Sequence, residues 1–295
     1  MTTIYFLARK EPEQLQIWLE KFISSKNITK HDYSLGQYFS SIIHNNYLKL
    51  TLSNDLFIEK EYTTLRAAAQ QMQFDFFIKP GVLPANGLIA FDMDSTFIQE
   101  EGVDEIALEL GISDSIAELT QQAMEGKLDF DASFTRRIRM LKGTPRSVLD
   151  QVCNRMTLSP GLTTILPIIK AKGFKTAIIS GGLDIFTQRL KERYHLDYAF
   201  SNRVQIEDEL LTDKITAPIM NAVMKKHTLV DLVTQLNIDL SQVIACGDGA
   251  NDIPMLMQAG TGIAWHAKPA VKEKIPHQIN FNGFESLLFF IEEEL

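Results

Sequence analysis

Two aspartates end a short hydrophobic run near the middle of the chain. Asp92 and Asp94 follow LIAF (88–91), and in an extended segment residues i and i+2 point to the same side. Both carboxylates can therefore face one small volume, where one attacks an electrophile and the other transfers a proton. Taken alone, the pattern is also typical of an Asx turn that ends a strand.

Two further polar clusters end hydrophobic runs of strand length. The first is SGG (180–182), at the end of FKTAIIS, and the second is GDGAND (247–252), after QVIAC. Parallel strands carry their carboxyl ends to one edge of a sheet, where open α/β folds bind ligands. We therefore expect all three clusters to meet at that edge, with the Ser-Gly backbone N–H groups available to an anion.

Four carboxylates at one edge, those of Asp92, Asp94, Asp248 and Asp252, would repel one another, and burial disfavours their ionisation. A divalent cation resolves this conflict. Oxygen ligands without histidine or cysteine favour a hard ion such as Mg²⁺. The histidines are scattered without metal-ligand spacing, so zinc is not expected.

A lysine pair precedes the helical pattern that leads to the GDGAND cluster. Lys225 is a candidate point charge for a phosphate group. On an ordinary helix surface, Lys225 and Lys226 would both be solvated.

The elements that must position these residues alternate between strand and helix after residue 83. Continuous apolar strands between amphipathic helices indicate an α/β fold with a doubly wound parallel sheet. The predicted strands are LIAF (88–91), FKTAIIS (174–180), QVIAC (242–246), TGIAW (261–265) and HQINF (277–281). The stretch from about 101 to 168 has helical spacing throughout and predicts an inserted helical cap that acts as a lid.

The first part of the chain predicts a separate small domain. Its pattern is strand, helix, strand, strand, helix, strand, which is the α+β ferredoxin-like order. Two prolines and two glycines in 80–87 interrupt all periodicity. We therefore predict a ferredoxin-like domain at 1–82 and an α/β domain at 83–295.

Composition narrows the possible partners and compartment. The formal charge is -8, so the surface would repel nucleic acid and anionic membranes. Two cysteines, Cys153 and Cys246, form no disulfide framework, and a reducing compartment fits them best. The N-terminal segment lacks the pattern of a secretory signal, and we expect a cytoplasmic protein.

Together these motifs resemble a known superfamily. The ordered set FDMDST, SGG, a lysine ahead of a helix and GDGANDIPML is similar to the haloacid dehalogenase superfamily. More narrowly, DMDSTFIQEEGVDEIA, AMEGKLDFDASFTRRIRMLKG and SGGLDIF resemble its phosphoserine phosphatases. The resemblance covers about 88–270, and the predicted N-terminal topology is similar to the ACT-like domain that some members carry. Phe97 is bulkier than the aliphatic residue usual after DST.

The resemblance implies a role for each matching residue. Asp92 would be the nucleophile that forms an aspartyl-phosphate, and Asp94 the general acid and base. Mg²⁺ would be held by the Asp92 carboxylate, the Asp94 backbone carbonyl and Asp248. Residues implied in holding the phosphoryl group or the surrounding shell are Ser180, Gly181, Lys225, Asn251 and Asp252.

The cap would select the substrate. The resemblance implies that Glu101, as a buried acid, binds an ammonium group, that Arg137 binds a carboxylate, and that Phe130 packs over the site. Without the family spacing, Glu101 would be an ordinary first-turn acid, and Arg137 would belong to a solvated helix face.

The implied function is a Mg²⁺-dependent hydrolase of O-phospho-L-serine in the last step of serine biosynthesis. Two alternatives remain open. One is a phosphotransferase, or a phosphatase for another small phosphomonoester. The other is a receiver-like switch, although a switch needs neither the second aspartate nor the helical insertion. The N-terminal domain is open to effector binding or dimerisation, and a homodimer is a possible assembly. Because its turns lack a glycine-rich effector loop, we do not expect strong feedback control.

Overall fold

A computed structural model describes residues 2–8, 11–26, 28, 32–40, 45–52, 56–79, 86–124 and 127–292. The first six elements are β1 (Thr2–Ala8), α1 (Pro12–Ser25), β2 (Tyr33–Ser40), β3 (Asn45–Leu52), α2 (Leu56–Met72) and β4 (Phe74–Lys79). Their strands form an antiparallel sheet in the order β2-β3-β1-β4. The predicted ferredoxin-like arrangement is confirmed.

One face of this sheet packs on its two helices. Apolar residues of α1 and α2, including Leu19 and Leu65, share a core with Phe6, Leu50 and Phe76 from the strands. The opposite face of the sheet is buried as well, because Tyr5, Tyr47 and Phe77 pack against Phe289 of the same unit.

The remaining strands form a second, seven-stranded sheet in the order β11-β10-β9-β5-β6-β7-β8. They are β5 (Leu88–Phe91), β6 (Lys175–Leu183), β7 (Tyr198–Glu207), β8 (Leu210–Thr216), β9 (Val243–Gly247), β10 (Thr261–Trp265) and β11 (His277–Ile279). β5 lies between β6 and β9 and runs parallel to both. Every residue of β5 and β9 is buried, as expected for strands covered on both faces. The doubly wound α/β prediction is confirmed.

Helices connect these strands. Between β5 and β6 lie α3 (Gly102–Leu110), α4 (Ser113–Met124), α5 (Phe130–Met140), α6 (Arg146–Arg155) and α7 (Leu162–Ala171). After β6 come α8 (Asp184–Tyr194), α9 (Ala222–Leu236), α10 (Ile253–Gln258), α11 (Pro269–Lys272) and α12 (Leu288–Ile291). The long helical insertion expected before the second strand of this fold is therefore present.

Three strands differ from the sequence prediction. β7 and β8 were not predicted, because polar and charged residues interrupt their apolar pattern and β8 is an antiparallel edge strand. β6 continues three residues beyond the predicted FKTAIIS, through both glycines, and its pairing with β7 shifts register between Ile179 and Leu183.

Contacts between Cα atoms divide the chain into two compact units. One comprises 1–86, 160–173 and 263–295, and the other comprises 87–159 and 174–262. The domain boundary predicted at 82/83 falls in 80–85, outside the described residues, and stays a prediction. Within the described ranges, no helix has both the length and the apolar character that a bilayer crossing requires.

Candidate active site

Asp92 is held at the carboxyl end of β5, inside the second unit. Its main-chain N–H donates to the Cys246 carbonyl of β9 (2.9 Å), which continues the parallel ladder by one residue. Its own carboxylate accepts from the Met93 N–H (2.7 Å). The chain then turns sharply through Met93–Phe97, where Ser95 adopts a positive φ of 52°. This turn brings Asp94 and Ser95 back towards the strand ends.

Lys225 joins the strand ends through two ion pairs. Its ammonium nitrogen lies 2.6 Å from Asp92 Oδ1 and 2.7 Å from Asp252 Oδ1. Lys225 is fully buried, whereas Lys226 is partly exposed. Burial alone would lower the pKa of Lys225, but Asp252 and Asp92 outweigh it and raise the pKa, so the side chain stays charged. Lys225 is therefore not one of the solvated lysines of an ordinary helix surface.

Asp248 joins the two carboxylates that pair with Lys225. Asp92, Asp248 and Asp252 each place an oxygen within 4.8 Å of the other two. Burial, together with repulsion from Asp252, raises the pKa of Asp92 well above its ordinary value in spite of Lys225. The negative charge is thus under-compensated, and the donors are all oxygens. Both features fit a hard divalent cation, so this cluster can hold a metal ion.

Asp252 has a second structural role in this cluster. Its Oδ2 accepts from the Gly249 N–H (3.0 Å), which folds the GDGAND loop over the end of β9. Thr96 donates to Asp248 Oδ1 at 3.4 Å from the opposite side. Asn251 is half-buried in the same loop. The loop therefore presents Asp248 and Asn251 from a backbone that Asp252 fixes.

Asp94 lies in a different environment from Asp92. Its Oδ1 accepts from the Gly102 N–H at the start of α3 (2.7 Å). Burial, with repulsion from Glu101, raises the pKa of Asp94 to about 7. A carboxyl with that pKa exists in both protonation states near neutral pH, as proton transfer in both directions requires.

The SGG segment forms a bulge at the end of β6. Ser180 is buried, and its hydroxyl accepts from the Gly182 N–H (2.9 Å). Asn202 of β7 donates to the Gly181 carbonyl (2.8 Å). A Cβ at Gly182 would lie 2.9 Å from Asp94 Oδ2, so only glycine permits this approach. The bulge thereby places Gly182, and the Ser180 hydroxyl that it contacts, close to Asp94.

Two cap residues on α5 also reach this region. The Phe130 ring packs against Gly181, with its Cζ 3.0 Å from where a Cβ would be. Arg137 is half-buried, whereas Arg136 and Arg139 are exposed, and Arg137 Nε is buried without a hydrogen-bond partner. Burial lowers the pKa of Arg137, but the nearby Asp104, Asp94 and Glu101 oppose this. Arg137 therefore differs from a solvated helix-face arginine.

Glu101 departs from the expectation of a buried acid. Its side chain is exposed, because it lies at the N-cap position of α3, at the edge of the cap. Ser95 donates to its Oε1 (2.7 Å), which orients the carboxylate.

Ser95, Asn202 and Asn221 contribute to the site but were not identified from the sequence. Ser95 was inside the DST motif without an assigned role. Asn221 directly precedes a helical pattern, which is a recognisable N-cap signal. Asn202 carries no local signal, because its partners are main-chain groups about twenty positions away on each side.

A buried aspartate–lysine–aspartate cluster at the carboxyl edge of a doubly wound sheet, beside the SGG bulge and a helical cap, is the arrangement expected of an α/β enzyme that acts on phosphate esters. Comparison with known proteins agrees. Residues 87–260 match the model of the haloacid dehalogenase-like hydrolases. The chain belongs to that family, in the group of the phosphoserine phosphatases.

Three relatives illustrate this similarity. A phosphoserine phosphatase of Vibrio cholerae is 40% identical over 209 residues, which are 71% of this chain and 64% of that protein. A crystal structure of a haloacid dehalogenase family hydrolase from Salmonella enterica serovar Typhi is 64% identical, with a TM-score of 0.95 and full coverage of both chains. The match to a substrate-bound phosphoserine phosphatase complex has 36% identity and a TM-score of 0.66, and it covers 70% of this chain and 99% of that one.

Proposed function

We propose that this chain hydrolyses O-phospho-L-serine to L-serine and phosphate through an aspartyl-phosphate on Asp92. One observation carries the proposal. The buried Lys225 ammonium lies 2.6 Å from Asp92 Oδ1, next to Asp248 and the SGG bulge. A carboxylate held between a cation and an anion-binding loop is placed to attack a phosphorus atom.

The first half-reaction transfers the phosphoryl group to the protein. An Asp92 oxygen forms a bond to phosphorus while the bond from phosphorus to the serine oxygen breaks. The Asp94 carboxyl gives its proton to that oxygen, and serine leaves as the neutral alcohol. Ser180, Gly181 and Lys225 hold the phosphoryl oxygens during the transfer.

The second half-reaction restores the enzyme. The ionised Asp94 takes a proton from water as the water oxygen bonds to phosphorus. The bond to Asp92 breaks, inorganic phosphate leaves, and both carboxyl groups return to their starting states. One residue therefore acts first as acid and then as base, which suits a pKa near 7.

Mg²⁺ is the metal ion that we propose for the acidic cluster. The Asp92 carboxylate, the Asp94 main-chain carbonyl and Asp248 would hold it, and Asn251 and Asp252 would orient this shell. When bound, the ion neutralises phosphoryl oxygens in the transition state. The oxygen-only donor set and the uncompensated charge of the cluster support this choice.

Substrate selection is assigned to the cap. Arg137 would bind the substrate carboxylate as a bidentate guanidinium, and Glu101 would bind the ammonium group. Phe130 covers the Gly181 end of the site. The buried Arg137 Nε without a partner supports this role, because a bound carboxylate would satisfy it.

The location and assembly of the protein are further proposals. We propose a cytoplasmic enzyme, since Cys153 and Cys246 are buried free thiols that suit a reducing compartment. Its proposed partner is a small phosphomonoester. A homodimer, and an effector or dimerisation role for the N-terminal domain, stay predictions.

The test is phosphate release from a panel of small phosphomonoesters with and without Mg²⁺. We expect O-phospho-L-serine to be the preferred substrate and Asp92→Asn to lose at least about a thousandfold in kcat, because the nucleophile is removed. Asp231→Asn, on the exposed face of α9, is the matched control and should retain full activity. Preference for another ester would contradict the assignment of phosphoserine as the substrate. Substantial turnover by Asp92→Asn would contradict the assignment of Asp92 as the nucleophile. Transfer of the phosphoryl group to added alcohols in place of water would favour a phosphotransferase.

A further inference from the structure

Two side chains outside the predicted site connect the cap to the helix that carries Lys225. The Asn221 amide nitrogen donates to Asp131 Oδ1 (3.0 Å) and approaches Oδ2 at 3.3 Å. Asp131 belongs to the first turn of α5, and Asn221 is the N-cap of α9. Both residues lie in the same compact unit as the active site.

Asn221 uses each of its polar groups. Its Oδ1 accepts from the N–H groups of Val223 and Met224, both at 3.1 Å, which caps the start of α9. Its main-chain carbonyl accepts from the Lys225 N–H (2.8 Å). The residue that contacts the cap is therefore one helical turn from the lysine that pairs with Asp92.

Met220, which precedes Asn221, is connected to the SGG bulge through Asn202. The Met220 N–H donates to Asn202 Oδ1 (2.7 Å), and Asn202 in turn donates to the Gly181 carbonyl. Residues 220–221 thus link three parts of the site: the SGG bulge, the start of α9 and the cap.

On the cap side, Asp131 directly follows Phe130, whose ring packs against Gly181. The Asp131 carboxylate lies near the N-terminal ends of both α5 and α9, where the helix dipoles favour a negative charge. The contact is also a charge-assisted hydrogen bond, which is stronger than a neutral one. Its geometry and electrostatics both favour the cap in the position seen here.

We propose that Asp131 and Asn221 are a pair of positioning residues that hold α5 over the strand ends. The pair keeps Phe130 and Arg137 in place for the amino-acid part of the substrate. This role rests on the proposed function, since it concerns the cap residues that would cover the site and bind the substrate carboxylate. Neither residue touches the reacting atoms.

The chain offers an exchange test. Asn221→Asp keeps a good N-cap but sets two carboxylates against each other, and Asp131→Asn removes the charge. The double variant reverses the hydrogen bond and should restore it. Kinetics are measured with O-phospho-L-serine and with 4-nitrophenyl phosphate, which lacks the groups that Arg137 and Glu101 would bind. Asp114→Asn, an exposed acid in the first turn of α4, is the control.

We expect each single variant to raise KM for phosphoserine about tenfold. The KM for 4-nitrophenyl phosphate should change less than about twofold, and the double variant should recover to within about threefold of wild type. Unchanged kinetics in Asn221→Asp, or a double variant no better than the worse single one, would overturn the proposal.

Amide hydrogen exchange across α5 separates this proposal from the function itself. In the full chain without substrate, exchange in 130–140 should accelerate in both single variants and return towards wild type in the double variant. That result would support the pair even if phosphoserine proved not to be the substrate. Equal exchange rates in 130–140 in all variants would contradict the proposal that Asp131 and Asn221 hold α5 in place, whatever the substrate is.

Discussion

At the scale of single residues, two adjacent lysines, Lys225 and Lys226, lie in different environments. Lys225 and Lys226 have the same chemistry, and the sequence places both at the start of one helix. In the structure Lys225 is fully buried between Asp92 and Asp252, whereas Lys226 is partly exposed. The difference comes from which face of α9 packs on the sheet, so the two residues should respond very differently to substitution.

Lys225→Met should reduce both stability and activity. The variant keeps the side-chain length but leaves Asp92 and Asp252 without the cation that pairs with both, and breaking a buried ion pair typically costs about 3–5 kcal/mol. Urea unfolding monitors the free energy of unfolding, and phosphate release monitors activity. Lys226→Met is the matched control, with both quantities close to wild type. Equal stability of the two variants would show that Lys225 is not the cation that this cluster needs.

Site residues could be predicted from the sequence where their type and their position at a strand end are unusual outside functional sites. The acidic and glycine-rich strand ends identified Asp92, Asp248 and SGG, and the structure brings these groups together. The exposure of Glu101 could not be predicted, because it depends on where α3 meets the edge of the cap. Asn202 was missed for a related reason, because both of its partners are distant in sequence, and the contact of Asn221 with Asp131 was missed because the two residues are 90 positions apart.

At the scale of elements, burial on both faces made strands easy to predict. β5 and β9 are continuous apolar runs, and both were found close to their observed bounds. β7 and β8 mix polar and apolar residues because much of their length is only partly covered. Their pattern therefore resembles that of loops, and only the pairing of β7 with β6 and of β8 with β7 defines them as strands.

The end of β6 illustrates a different limit. The sequence prediction ended this strand at Ser180, yet the strand pairing continues to Leu183 after a shift in register. The bulge depends on the Asn202 contact from β7 and on the space that Gly182 leaves for Asp94. Such a feature follows from tertiary packing and has no distinct sequence pattern.

At the scale of the whole molecule, the unit that lacks the catalytic aspartates has stabilising contacts of its own. It comprises 1–86, 160–173 and 263–295. In the unit that contains the N-terminal sheet, β4 contributes the buried Asp75, which accepts main-chain hydrogen bonds from Asn280 (2.8 Å), Phe281 (3.1 Å) and Asn282 (3.0 Å). His277 belongs to the same unit, and its ring forms an edge contact with Phe290. Burial, with a contribution from Arg66, lowers the pKa of His277 to about 4.

This depressed pKa predicts a specific dependence of stability on pH. The unfolded chain binds a proton at His277 as the pH falls through the ordinary histidine pKa of 6.5, whereas the His277 ring in the folded chain stays neutral down to its pKa of about 4. Above pH 6.5 His277 therefore costs the folded state no stability. As the pH falls from 6.5 to 4, the free energy of unfolding decreases by about 3 kcal/mol in total because of this residue. His277→Phe keeps the ring but cannot titrate.

Urea unfolding at pH 7 and at pH 4.5 tests this prediction. The wild-type chain should lose more unfolding free energy on acidification than His277→Phe does. His195→Asn, at an exposed helix end, is the control and should lose as much as wild type. An identical loss in wild type and His277→Phe would contradict the burial effect.

The central claim is that Asp92 accepts the phosphoryl group from an ester in a site built by three strand ends. Acid quenching during turnover of O-phospho-L-serine, followed by proteolysis and mass spectrometry, tests this directly. The account predicts a phosphoryl group on the peptide that contains Asp92, attached to that carboxylate and lost when the sample is made alkaline. Steady release of phosphate with no phosphoryl group on Asp92, or with the group on a different side chain, would contradict it.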